Sequence, residues 1–219
     1  MNKGRHSMSL YKGKKLSNNG RIKRDWRLPV VIVDETGGIN MLASNKAERR
    51  THFTVVGTLV TDRKRFKATM NEFPRKDKEL KYSGTTRKER KRIFEDLAAQ
   101  DFLFSEIHKS RRNECFKDNK ARVRTYVDMV SEVLDMNYSG CPCDVLIDSP
   151  PVAALEELEE LCSNSINQGI EIHYFEVCPS SNEWALQIHD FITGAVGDDI
   201  EGITDRGNFY NTIKDKHRR

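Results

Sequence analysis

Apolar residues fall in short runs along this chain, and two of those runs stop at an aspartate. PVVIVD at 29–34 is followed by ETGG, and CDVLID at 143–148 is followed by SPP. A β-branched run stopped by Gly or Pro predicts a buried strand. A carboxylate at the carboxyl end of such a strand sits at the rim of a sheet, where α/β folds place their ligands. The first strand is predicted over Val30–Asp34, followed by a polar loop at 37–50 and a second strand over His52–Thr61, whose Gly57 signals a bulge or a close backbone approach. Residues 62–82 read as basic and irregular, with Pro74 blocking a long helix. A helix follows over Thr85–Gln100, capped by Thr85 or Thr86, with Ile93, Phe94, Leu97 and Ala98 on one side. A strand is predicted at Asp101–Lys109, a helix over 119–136, a strand at Val145–Asp148 and an acidic helix over Val152–Gln168 with Gly169 as its cap. A strand at Ile170–Cys178 and a helix at Glu183–Val196, entered through Ser180 to Glu183, complete the pattern.

With 37% hydrophobic residues and a mean hydropathy of -0.68, the core must be concentrated in those few segments. The length of 219 residues suits one α/β domain with tails. No run approaches the 18 or so apolar residues that a membrane span needs, so no membrane partner is expected. Five cysteines, an odd count, and no secretory pattern at the N-terminus point to a reducing, cytoplasmic setting. Cys141 and Cys143 form a close pair but lack a second pair at zinc-site spacing.

Charge is divided sharply. Residues 1–124 hold 32 Lys and Arg against 15 Asp and Glu, whereas residues 125–205 hold no Lys or Arg and 17 Asp and Glu. The chain therefore divides into a flexible basic arm (1–27), a folded domain (28–205) and a basic tail (206–219). The basic part calls for a polyanionic partner, with nucleic acid the leading candidate and a solvated, salt-bridged surface the alternative.

Four carboxylates stand out by position. Asp34 and Asp148 end strands, Glu79 lies in KELK just before the first long helix, and Asp190 lies in a last helix that is otherwise apolar nearly all round. Burying such a charge is costly unless it is paired or binds metal. Oxygen-only donors suit Mg²⁺ or Mn²⁺, and a pair of such ions activates water and stabilises the leaving oxygen in phosphodiester hydrolysis. Each acid also has an ordinary reading. Asp34 and Asp148 can simply start turns, and Glu79 can be a solvated charge in a basic segment. Gly194 shares the face of Asp190, which lets that side approach a sheet edge or a ligand closely.

Taken in order, VDETG at 33–37, FTVVG at 53–57, Glu79-Leu80-Lys81, Ile147-Asp148, and Leu186-Gln187 with Asp190, Gly194 and Ala195 resemble the motifs of the domain of unknown function numbered 3800. The resemblance spans about residues 28–200. It implies a ribonuclease-H-like α/β fold: a mixed sheet, antiparallel in its first strands and then parallel, with helices on both faces. It also implies a metal-dependent nuclease site whose ligands are Asp34, Glu79, Asp148 and Asp190. Thr36 stands where that family has Ser, keeping a hydroxyl. His189 stands where it has Ala, as either a proton shuttle or an ordinary helix histidine.

Lys81 and the run Arg87, Lys88, Arg90, Lys91 can hold a phosphate backbone or form a solvated helix face. Two functions remain open: a metal-dependent nuclease with Mg²⁺ or Mn²⁺, and a non-catalytic nucleic-acid- or partner-binding domain on the same fold. A phosphate-loop phosphotransferase is disfavoured, because no Gly-x-x-x-x-Gly-Lys-Ser/Thr motif is present.

Overall fold

A computed structural model describes residues 24–37, 51–73, 79–149, 154–165 and 169–218, and the side chains of all of these but 162–165. Most of the expected basic arm (1–23) and of the 37–50 loop lies outside the described residues. The strands are β1 (Val30–Thr36), β2 (His52–Val60), β3 (Phe102–Ser110), β4 (Cys143–Asp148) and β5 (Ile172–Cys178). They form one sheet in the order β3-β2-β1-β4-β5. β1 and β2 are antiparallel, as are β2 and β3, whereas β4 pairs parallel to both β1 and β5. This is the mixed sheet expected.

Alternation along the strands divides the core into two layers. Val30, Ile32, Val56, Phe104 and Leu146 face α1 (Arg63–Ala68), α2 (Arg87–Ala98), α5 (Trp184–Ile200) and α6 (Tyr210–Ile213). Val31, Val33, Val55, Val145 and Ile147 face α3 (Asn119–Asn137) and α4 (Leu155–Ser165). Both faces of the central strands are covered, which is why β1 and β4 read as continuous apolar runs rather than alternating ones.

Local signals explain the helix starts. Thr86 accepts from the N–H of Glu89 while Glu89 reaches back to the N–H of Thr86, a reciprocal capping box that opens α2. Asp118 caps α3 through the N–H of Ala121. The irregular reading of 62–82 needs correction: Asp62 accepts from the N–H of Arg65 and starts α1, whose Phe66 is buried in the core. The pattern there is too short and too basic to show the period of a helix. The basic segment 206–219, expected as a tail, packs into the domain: Phe209 and Ile213 join the core, and the N–H of Arg218 donates to the carbonyl of Phe104 on β3 at 2.7 Å.

Gly57 marks a close approach and not a bulge. Its register on both neighbours is unbroken, and a Cβ there would lie 2.1 Å from Cγ1 of Val133 on α3.

Candidate active site at the carboxyl edge of the sheet

The parallel register pairs Val33 of β1 with Ile147 of β4. Asp34 and Asp148 are the next residues of their strands, on neighbouring strands about 4.8 Å apart. Asp148 ends its strand as expected, whereas β1 runs two residues past Asp34 to Thr36, still paired with β2, so Asp34 lies within the strand rather than at a turn start. Oδ1 of Asp34 accepts the N–H of Glu35 at 2.7 Å, and Oδ1 of Asp148 accepts the N–H of Ser149 at 2.8 Å and that of Ser180 at 3.0 Å. One oxygen of each carboxylate is thus tethered and its orientation fixed.

Asp190 reaches the same region from α5. Its Oδ2 accepts the backbone N–H of Tyr82 at 2.5 Å, in the turn that follows Glu79 and Lys81. Gly194, one turn on, lets the Tyr82 ring lie against the helix: a Cβ there would come within 2.4 Å of ring carbons. The close partner of Gly194 is therefore Tyr82 rather than a sheet edge. Glu79 accepts from the hydroxyl of Ser180 at 2.6 Å and pairs with Lys81 at 3.3 Å. Ser180 thus ties Glu79 to Asp148, residues 69 positions apart in the chain. That role was hidden in the sequence, where Ser180 reads only as part of a helix entrance; the observed cap of α5 is Glu183.

The electrostatics confirm that these groups sense one another. Burial raises Asp34 well above the usual carboxylate range, and the charges of Asp148 and Asp190 raise it further against the N–H of Glu35. Burial also raises Asp148, opposed by the N–H groups of Ser149 and Ser180 and by Lys81. Asp190 is pushed up to about 6, first by burial; the Tyr82 N–H and Lys81 oppose the shift, while Asp148 and Glu79 add to it. Burial works against the charged form of Lys81, but Glu79, Asp190 and Asp148 together hold its ammonium above its ordinary pKa. Among the described residues, no three His, Cys, Asp or Glu side chains are drawn together at the spacing of a formed metal site.

No family model and no curated protein matches this chain. Among solved structures, it is similar to a chain of the PCNA:RNase HII complex from Archaeoglobus fulgidus, with a TM-score of 0.52 and 16% identity over 83% of this chain and 79% of that one. The fold is ribonuclease-H-like.

On that fold, a cleft of about 230 Å³ opens beside Asp190, lined also by Glu35, Thr36, Ser83, Thr193 and Arg206. Arg206 belongs to the segment expected as a tail; here its guanidinium pairs with Asp198 of α5 at 3.5 Å and its carbonyl accepts from Arg90. The basic residues expected to meet phosphate part company. Arg87, Lys88 and Lys91 are exposed on α2, and Lys81 is exposed beside Glu79. Arg90 has to be withdrawn from that group. It is buried, its guanidinium lies 4.6 Å from the centre of the Tyr82 ring, and it donates to the carbonyls of Thr85 and Arg206. Buried, stacked on Tyr82 and hydrogen-bonded inward, this guanidinium is not presented at the surface where a phosphate would meet it. His189 is fully buried, with Nδ1 3.1 Å from the Thr193 hydroxyl, and burial lowers its pKa to about 3. It stays neutral at physiological pH, which removes it as a proton shuttle. Among the described residues, no helix is long and apolar enough to cross a membrane.

Proposed function

We propose that this chain is a nuclease that depends on Mg²⁺ or Mn²⁺ and hydrolyses phosphodiester bonds, with Asp34, Glu79, Asp148 and Asp190 as its site. One observation carries the reading: carboxylates from two strands and a helix gather at the carboxyl edge of the sheet, where Asp34 is buried and raised further by the charges of Asp148 and Asp190, Asp190 is raised by burial and by Asp148 and Glu79, and Lys81 is the cation set against Glu79, Asp190 and Asp148. A protein gains nothing in stability from such crowding, and perturbed acids gathered at one rim are the mark of a functional site. The donors are hard oxygens, which suits Mg²⁺ or Mn²⁺ rather than a softer ion. The motif order shared with the domain of unknown function numbered 3800 agrees with this assignment.

When bound, the ions supply an activated water and neutralise charge developing on the leaving oxygen. Asp34 and Asp148 would hold the ions from the sheet, each with one oxygen fixed by the N–H groups of Glu35, Ser149 and Ser180. Asp190, held by the N–H of Tyr82, would complete the set from α5, with Glu79 positioned by Ser180. Lys81 offsets part of the negative charge of Glu79, Asp148 and Asp190. Arg87, Lys88 and Lys91, exposed together on α2, contact phosphates of the strand, and each such contact adds to the salt dependence of binding.

The second reading is a nucleic-acid-binding domain without catalysis. It draws its support from the spacing of the acids, since no three of them are drawn to metal-holding distance. A cleavage panel over single-stranded, double-stranded and RNA–DNA hybrid substrates separates the two. Cleavage with Mn²⁺ that EDTA abolishes supports the nuclease; strand binding without cleavage of any substrate supports the second reading.

A further inference from the structure

Both tryptophans of the chain lie in one stack away from the carboxylates. The rings of Trp26 and Trp184 are 6.2 Å apart and 13° from parallel. Trp184 is half-buried against Phe66 and opens α5, the helix that carries Asp190 six residues on, about 9 Å along the axis at 1.5 Å per residue. Trp26 lies on the outside and keeps 55% of its surface exposed; among the described residues, the other large apolar side chain so exposed is Leu103. The Lys67 ammonium sits 5.9 Å from the centre of Trp26 and 5.7 Å from that of Trp184, and the Arg63 guanidinium lies 5.9 Å from Trp26.

A lone exposed apolar side chain needs no explanation, but Trp26 presents its ring to solvent in a stack with Trp184 and beside the Lys67 ammonium. Holding the chain here does not need it, because Arg24 already anchors the segment. Its guanidinium pairs with Glu176 on β5 and with Glu183 at the start of α5, and it covers the Tyr174 ring. Those contacts pre-order the backbone just before Trp26. α1 beside it carries Lys64, Arg65 and Lys67 on its exposed side and no acid, while its Arg63 is buried and paired with Asp144. Flat aromatic surface interleaved with cations matches a single nucleic-acid strand, whose bases stack and whose phosphates pair with cations.

We infer that Trp26, backed by Trp184 and flanked by Lys67, is a stacking platform for an unpaired base of a nucleic-acid strand. The platform rests on the proposed function and deepens it, because it calls for a substrate with a single-stranded segment near the cleaved bond. The acidic-peptide alternative shares the charge but offers no bases to stack.

Intrinsic fluorescence tests this directly, since Trp26 and Trp184 are the two tryptophans present. The full chain, in EDTA to prevent cleavage, is titrated with a fluorescein-labelled single-stranded oligonucleotide and, separately, with poly-glutamate. Saturable quenching by the oligonucleotide and none by poly-glutamate is expected. Anisotropy of the label should show affinity falling about tenfold in Trp26→Ala, within the range seen for loss of one stacked base. Trp26→Phe should keep most of it, and Lys67→Ala should weaken it less. Equal quenching by poly-glutamate, no binding of the oligonucleotide, or unchanged affinity in Trp26→Ala would overturn the platform. Quenching that persists in a protein unable to cleave anything with Mn²⁺ would sink the nuclease and keep the platform, while metal-dependent cleavage with no effect of Trp26→Ala would do the reverse.

Discussion

β4 carries an aspartate near each end, and the two are treated in opposite ways. At the amino end, Asp144 is wholly buried and the fold supplies its partners: the Arg63 guanidinium donates to Oδ2 at 2.8 Å, and Nδ1 of His173 lies 3.0 Å from Oδ1. Arg63 also donates to the carbonyl of Pro29, which locks α1 onto the entrance of β1. At the carboxyl end, Asp148 faces Asp34 and Asp190, so other acids make up much of its surroundings, with Lys81 the positive charge among them. One end of the sheet closes its electrostatics inside the protein. The other leaves them open, and an open set of buried charges is where a ligand contributes binding energy.

The contrast can be broken most severely by activity. Asp34→Asn or Asp148→Asn should lower metal-dependent cleavage by about a thousandfold or more, because each removes a charge that the reaction needs. Neither should lower the urea stability of the metal-free protein, since each relieves repulsion. Large losses of stability in both variants would place these acids with Asp144 as structural groups. The amino end should behave conversely. Arg63→Met strands the Asp144 charge and should cost about 3–5 kcal/mol in urea denaturation, with Asp144→Asn in the same chain recovering part of it. A cost near zero would mean that Asp144 is not held as an ion.

Metal addition sharpens the difference. Mn²⁺ at a hundred times its dissociation constant should stabilise the wild type by about 2.7 kcal/mol, and this gain should vanish in Asp148→Asn and persist in Asp144→Asn. The smallest effect is on pH. Asp190 has its folded pKa raised to about 6, and Asp34 and Asp148 are raised as well. Raised acids favour the fold while protonated, so their contribution is present below the unfolded value near 4 and is lost as pH rises through the folded one. The metal-free protein should therefore lose stability between about pH 4 and 7, with a shallower slope in Asp190→Asn. A slope that Asp190→Asn leaves unchanged would assign the titration to other groups.

The strands that carry Asp34 and Asp148 were legible because β-branched runs and turn formers act locally, through steric preference and backbone restriction, although β1 continues two residues past Asp34 because β2 still pairs with it there. Asp190 was legible because a charge in an apolar helix stands out against its neighbours. Asp144, by contrast, lies inside the same hexapeptide as Asp148 and passed unnoticed, since its partners, Arg63 and His173, are 81 and 29 residues away. Arg90 was misread for a related reason. Its spacing places it on a charged helix, but whether that face meets water or the Tyr82 ring depends on how α2 packs.

The sequence by itself thus determined the five strands, the four longer helices and four acids in an ordered set of motifs, with the ribonuclease-H-like order implied by the resemblance those motifs carry; it missed the short helices α1 and α6. Tertiary structure alone decided which charges are answered. It joined Ser180 to Glu79, brought Arg206 to the cleft, buried Arg90, and gave Asp144 the Arg63 guanidinium while leaving the charges of Asp148 and Asp190 beside Asp34. The reason is the range of the forces. Propensity and patterning act over a few residues, whereas burial and Coulomb interaction depend on distance in space, which the chain order does not contain.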